Sequence, residues 1–166
     1  MAGSSTADLP PAAPPFFFDL ADPLAYVEGE RLRAEDPRVE WVPILAPPAY
    51  RCAEEVATVR EDVERAAARL NLQAVRWPEP FPFDSERAML AATYAKQIGR
   101  AVAFSLAAFR QAYAAGRALD ADDNILIAAA ACEMHPRAVL KALETRGVRE
   151  ALEEATAVAA SLRNPA

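Results

Sequence analysis

The chain has 166 residues, 53% of them hydrophobic and 25% charged, enough apolar material for the core of one domain and too much for disorder throughout. A formal charge of −6 and a pI near 4.9 argue against a protein that coats nucleic acid, because such binding neutralises phosphates with surplus cations. The longest strictly apolar runs, such as Ile125 to Cys132, are too short to span a membrane. Forty alanines, only five glycines, and 16 arginines against two lysines make the composition helix-rich. Cys52 and Cys132 form no C-x-x-C pair and read as two partly buried free thiols in a reducing cytoplasm. Residues 1–14 are rich in Ser, Ala and Pro, carry neither the basic nor the apolar stretch of a signal peptide, and read as a disordered tail.

In chain order, the aromatic run Phe16 to Leu20, bounded by turn formers, predicts a buried strand. Asp22-Pro23 then starts a helix: the carboxylate can accept from the first free N–H groups, and Pro23 suits a position with no N–H to satisfy. That helix runs from Leu24 to Ala34, and Asp36-Pro37 ends it. Val39 to Leu45 alternates and is β-rich, giving a second strand and hence a right-handed βαβ unit with parallel strands. Val56, Val59, Val63, Ala67 and Leu70 mark the next helix. A proline-punctuated link, Trp77 to Phe83, leads to a helix capped by Asp84 or Ser85 and carrying Met89, Leu90, Tyr94 and Ile98. Gly99 breaks it, and Val102, Leu106, Phe109 and Tyr113 set the apolar stripe of another. Asp122 opens a helix to Ala131, Pro136 opens a short one, and the last carries Val148, Leu152, Ala155, Ala159 and Leu162. No third strand is predicted.

The stretch Phe17 to Tyr26 resembles the opening of the DsbA-like thioredoxin superfamily, nearest its 2-hydroxychromene-2-carboxylate isomerase and kappa-class glutathione transferase branch. Trp41-Val42-Pro43-Ile44-Leu45 is similar to that branch's W-x-P-F-L second strand, and Val59 to Leu72 to its next helix. Phe81-Pro82-Phe83-Asp84-Ser85 resembles the link into its helical insert, and Phe104 to Asp120 a segment within it. The resemblance runs from about residue 15 to residue 162. It implies an α/β, helix-rich, thioredoxin-like fold: a disordered tail (1–14), a βαβ half (15–53), a helical insert (54–144) and a C-terminal helix (145–166) returning to the first half. The family's later strands and its cis-proline segment have no counterpart here, so the sheet is expected to be incomplete. An open edge at Phe16 to Leu20 should then be covered by the chain's own tail or last helix, or by a second copy as a homodimer.

The resemblance further implies a glutathione-dependent isomerase or transferase acting on a small aromatic or electrophilic substrate, with glutathione as cofactor, no metal, and a cytoplasmic setting. Asp22 stands where the family places its catalytic serine, so Asp22 and Pro23 are the candidate catalytic and glutathione-binding residues, with Tyr26 and Asp84 as substrate-pocket candidates, although Tyr26 is at least equally well read as a core residue. An aspartate is a marked departure: ionised, it has no proton to donate and repels a thiolate, and a helix N-terminus favours the ionised form. The loop Ala46 to Arg51 also lacks the family's Gly-Asn pair. Asp22 is better read as an ordinary helix cap, which suits a degenerate, weakly active or inactive member. A non-catalytic DsbA-like binding module is the alternative.

Other patterns are weaker. Asp120 to Asn124 imitates the start of a calcium loop, but Ile125 stands where that loop needs glycine, so helix capping is the better reading. Cys132 and His135 are too few ligands for a closed zinc site, and His135 suits a capping or surface position. Arg60, Arg65 and Arg69, among Glu61 and Glu64, read as a solvated face with local ion pairs.

Overall fold

The computed structural model describes residues 11–165, so the tail predicted for residues 1–14 lies mostly outside the described residues. The elements are β1 (Phe16–Phe18), α1 (Pro23–Glu35), β2 (Trp41–Pro43), α2 (Ala53–Arg69), α3 (Glu86–Gln97), α4 (Ala101–Tyr113), α5 (Asp122–Ala131), α6 (Pro136–Leu143) and α7 (Arg146–Arg163). Strands β1 and β2 pair in parallel, with Phe16, Phe17 and Phe18 opposite Trp41, Val42 and Pro43. The helix-rich α/β architecture is the one expected, with a two-stranded parallel sheet among the described residues. None of their helices is long and apolar enough to cross a membrane.

Both strands are shorter than the predicted runs, for a local reason. After Phe18 the chain turns at once, with the Asp22 N–H donating to the Asp19 carbonyl at 3.0 Å and the Ala21 N–H to Asp19 Oδ1 at 2.9 Å. An aspartate that bonds the backbone two residues on closes a turn and competes with the ladder. Strand side chains alternate, so Phe16 and Phe18 share one face with Trp41, at ring separations of 5.0 and 5.6 Å. Phe18 meets Phe109 of α4 at 5.8 Å. Helix α4 packs against α1, α3 and α5, and this cluster is the core.

The sheet's second attachment is to the last helix. The Leu45 N–H, just past β2, donates to Thr156 Oγ1 of α7 at 2.9 Å. Across the ladder the Phe16 N–H donates to the Glu40 carbonyl and the Ile44 N–H to the Phe18 carbonyl, so alternation turns the polar groups of Phe17 to the other edge. Among the described residues no strand pairs with that edge.

Several predicted side-chain placements are corrected. Val102, expected on the α4 core stripe, is 37% exposed, because the stripe begins instead at Phe104 and Ser105, both buried. Ile98 ends α3 as an exposed residue rather than a core one, and Leu162 on the last turn of α7 is 63% exposed. Asp122 opens α5 as expected, and its carboxylate takes a two-point bond from Arg87 at 2.6 and 2.8 Å. Asp84 caps α3 through the Glu86 N–H at 2.9 Å, and His135 caps α6 through Nδ1 and the Arg137 N–H. Cys52 is exposed rather than partly buried, and Cys132 is buried; both are free.

Gly29 shows how tightly α1 sits on β2: a Cβ built there would lie 2.8 Å from Cη2 of the buried Trp41. Gly29→Ala therefore gains helix propensity yet forces Trp41 aside, and a net loss of about 1–3 kcal/mol is expected. Urea unfolding of the variant against wild type measures it; a gain in stability would mean that Trp41 relocates freely.

Candidate functional site

The turn that leads into α1 is held by contacts from α3, α4 and the segment after β2. The Leu20 N–H lies 3.1 Å from the Met89 sulfur of α3, and the Leu20 carbonyl accepts from the Tyr113 hydroxyl of α4 at 3.0 Å. Asp19 is 3% exposed and accepts twice, from Ala21 at Oδ1 and from Ala46, in the segment after β2, at Oδ2, each at 2.9 Å. The buried hydroxyl of Ser85 lies beside this carboxylate. Burial pushes the Asp19 pKa up, and the N–H donors pull it only part of the way back.

Asp22 follows in extended backbone conformation, and its Oδ1 accepts from the Leu24 N–H at 2.9 Å. It is therefore the N-cap of α1, with Pro23 buried as the first helical residue. Its carboxyl is only half-buried at the surface, yet burial raises its pKa above the usual carboxylate range, against the lowering effect of the Leu24 and Ala25 N–H groups. This reverses the expectation that the helix end would favour the ionised form: desolvation outweighs the helix end here. The negative charge of Asp22 in turn raises nearby tyrosines. Tyr50 is pushed up to about 12, mainly by burial, and the buried Tyr113 well above its ordinary value.

Aromatic rings continue from this carboxyl. Tyr50 contacts Phe81 at 6.0 Å between centroids, Phe81 contacts Trp77 at 4.9 Å, and both Trp77 and Phe81 meet Tyr113 edge-on. Over this wall lies the Arg60 guanidinium, 5.3 Å from the Trp77 ring and 5.4 Å from the Phe81 ring, with Nε buried and unpartnered. Arg60 is thus not part of a solvated ion-paired face, and Glu64 accepts from Trp77 Nε1 instead of pairing with an arginine. Only Arg65, bonded to Asp62, behaves as that reading predicts. The signal available in the sequence was the tryptophan and phenylalanine of the proline-rich link, which need a helix face to pack on.

The other sequence candidates fall elsewhere. Tyr26 is 2% exposed and packed between Phe109 and Tyr113, so it belongs to the core and lines no pocket. Asp84 is exposed, with one carboxylate oxygen engaged in capping α3. Concavities of about 670 and 480 Å³ lie away from Asp22 and these rings, at the α3–α4 turn and between α4 and α5. Among the described residues no three His, Cys, Asp or Glu side chains converge as a metal site.

For glutathione the fit is poor. A thiolate at this helix end would need the first-turn N–H groups, and Asp22 already engages one of them with its own carboxylate. The segment after β2 offers Ala46, Pro47 and Pro48, of which the Ala46 N–H is bonded to Asp19 and the prolines have none to offer.

Residues 16–163 match the family model of the DSBA-like thioredoxin domain, and the chain belongs to that family. A solved structure of 2-hydroxychromene-2-carboxylate isomerase has a similar fold, with a TM-score of 0.75 at 18% identity over 87% of this chain and 77% of that one. No curated protein matches the sequence.

Two substitutions test the geometry. In Asp19→Asn one carboxylate oxygen becomes an amide that faces an N–H, costing about 1–3 kcal/mol. Because the folded state raises the Asp19 pKa, its favourable contribution is full below 3.8 and falls as pH rises through the folded value. The stability gap between wild type and Asp19→Asn should therefore narrow between pH 4 and pH 7 in urea titrations; a widening gap would contradict the raised pKa. Asp22→Ala should lose about 0.5–2 kcal/mol of cap energy while Asp22→Asn keeps most of it. Equal, negligible losses in both would show that the cap carries nothing.

Proposed function

We propose that this DsbA-like chain binds a small aromatic or electrophilic compound against the Tyr50–Phe81–Trp77 wall. There Asp22 acts as a proton donor and acceptor in an isomerase-type reaction, without a thiolate. The reading rests on one observation: the position at the start of α1 holds a half-buried carboxyl of raised pKa beside Tyr50. A carboxyl whose proton affinity is raised toward neutrality suits general acid–base work. The isomerase with the similar fold acts, by its name, on an aromatic carboxylate; the Arg60 guanidinium supports a comparable anionic substrate here. In the alternative of a glutathione-dependent isomerase or transferase, Asp22 would have to release Leu24 and face a thiolate with its own charge.

A second reading, a non-catalytic binding or interaction module, is favoured by the capping contact that engages the Asp22 carboxylate.

Isomerisation of 2-hydroxychromene-2-carboxylate, followed by absorbance with and without glutathione, separates these cases. Turnover independent of glutathione and reduced about 10²–10⁴-fold in Asp22→Asn is expected for an acid–base carboxyl. Asp22→Ser should strengthen glutathione binding by removing the repelling charge. Tight glutathione binding by the unmodified protein in calorimetry would overturn the proposal, and binding without turnover would leave the module reading in its place.

A further inference from the structure

At the opposite end of α1 from Asp22, the α3–α4 turn and the flank of α4 enclose the concavity of about 670 Å³. Arg33 lies ten residues along the helix from Pro23, roughly 15 Å from the candidate site at 1.5 Å rise per residue. Four cations line this concavity, Arg33, Lys96, Arg100 and Arg110, and no carboxylate does. Two of the four are neutralised by neighbours. Lys96 pairs with Glu40 at 2.7 Å, and Arg110 forks onto Glu30 at 2.6 and 2.9 Å. The other two are not. Arg33 forms no ion pair among the described residues, and Arg100 gives one donor to the Cys132 carbonyl but meets no carboxylate.

Two uncompensated guanidiniums thus share one concavity that no carboxylate lines, in a chain of net charge −6. Position in a last helical turn accounts for Arg33 in α1 and Lys96 in α3, because cations suit helix C-termini. It does not account for Arg100, which stands at the N-cap of α4, where the helix dipole disfavours a cation and no acidic residue occupies the first turn. The lining also includes Ala101, Val102 and Ala103, whose backbone N–H groups have no intrahelical acceptor, and the apolar side chains of Val102 and Leu106.

We propose that this concavity binds the phosphate group of a small phosphate monoester, held by Arg33 and Arg100, with the ester's apolar part against Val102 and Leu106. A phosphate monoester carries close to two negative charges at neutral pH, matching the two free guanidiniums. The planar guanidinium forks onto phosphate oxygens, and the first-turn N–H groups add donors on the same side. The same chemistry occurs in free esters and in lipid headgroups; the acidic net charge favours the free ester, since an anionic membrane surface repels the chain as a whole.

Amide NMR of the full chain, titrated with phenyl phosphate, tests the proposal. Saturable shifts confined to the α3–α4 turn and the Ala101, Val102 and Ala103 amides are expected, with those around Asp22 and Tyr50 unmoved. Arg33→Gln, at an exposed position, should weaken binding about tenfold through the loss of one charge-assisted contact, and added salt should weaken it further. Inorganic phosphate should bind at the same amides more weakly than phenyl phosphate; equal affinity would remove Val102 and Leu106 from the site. Absence of saturation at millimolar phenyl phosphate, or an unchanged affinity in Arg33→Gln, would overturn the proposal. Binding to phosphatidic acid vesicles without binding of phenyl phosphate would overturn it too. Because the readout lies outside the α1 N-terminus, its failure is independent of any result at Asp22.

Discussion

The carboxylate of Asp19 is the constraint on which the candidate site depends. Buried at 3% exposure, it would be expensive to ionise unless its oxygens were occupied, and they are, by the N–H groups of Ala21 and Ala46. One contact closes the β1–α1 turn; the other ties that turn to the segment leaving β2. Met89 and Tyr113 then satisfy the two backbone groups of Leu20. These contacts hold the turn that leads into α1 and place Asp22 at its N-cap.

From that turn the rest of the architecture follows by packing. Gly29 lets Trp41 lie on α1, Trp41 and Phe18 form one aromatic layer with Phe109, and Tyr113 at the end of α4 joins this layer to the wall of Trp77 and Phe81. Tyr113 reaches that layer through Tyr26, which meets Phe109. A change in how α4 sits would be felt both at the Leu20 carbonyl and along the Trp77 and Phe81 rings.

Asp22 illustrates how the residue at a helix start sets the chemistry open to it. A hydroxyl or thiol there leaves the helix donors open to a ligand, whereas a carboxylate turns back and bonds Leu24 itself. The same burial that raises its pKa makes it a candidate proton carrier. Both effects come from a short side chain held at a helix end under partial desolvation.

The fold was largely legible in the sequence because its signals are local. Asp22-Pro23, the aromatic run at Phe16 and the period of Val59, Val63 and Ala67 depend on neighbours within a turn or two, and each predicts the element that forms. The proline-punctuated link and the order βαβ followed by helices likewise carried the family resemblance. What depended on distant partners was not legible. Tyr26 reads as either a pocket or a core residue until Phe109 and Tyr113 decide for the core, and Arg60 reads as solvated until Trp77 and Phe81, some 20 residues later, fold beneath it. The start of α5 at Asp122 has a local signal, but the bond its carboxylate takes from Arg87 of α3 has none. The sign of the Asp22 pKa shift is of the same kind: sequence supplies the helix end that lowers it, and only the packed structure supplies the desolvation that wins.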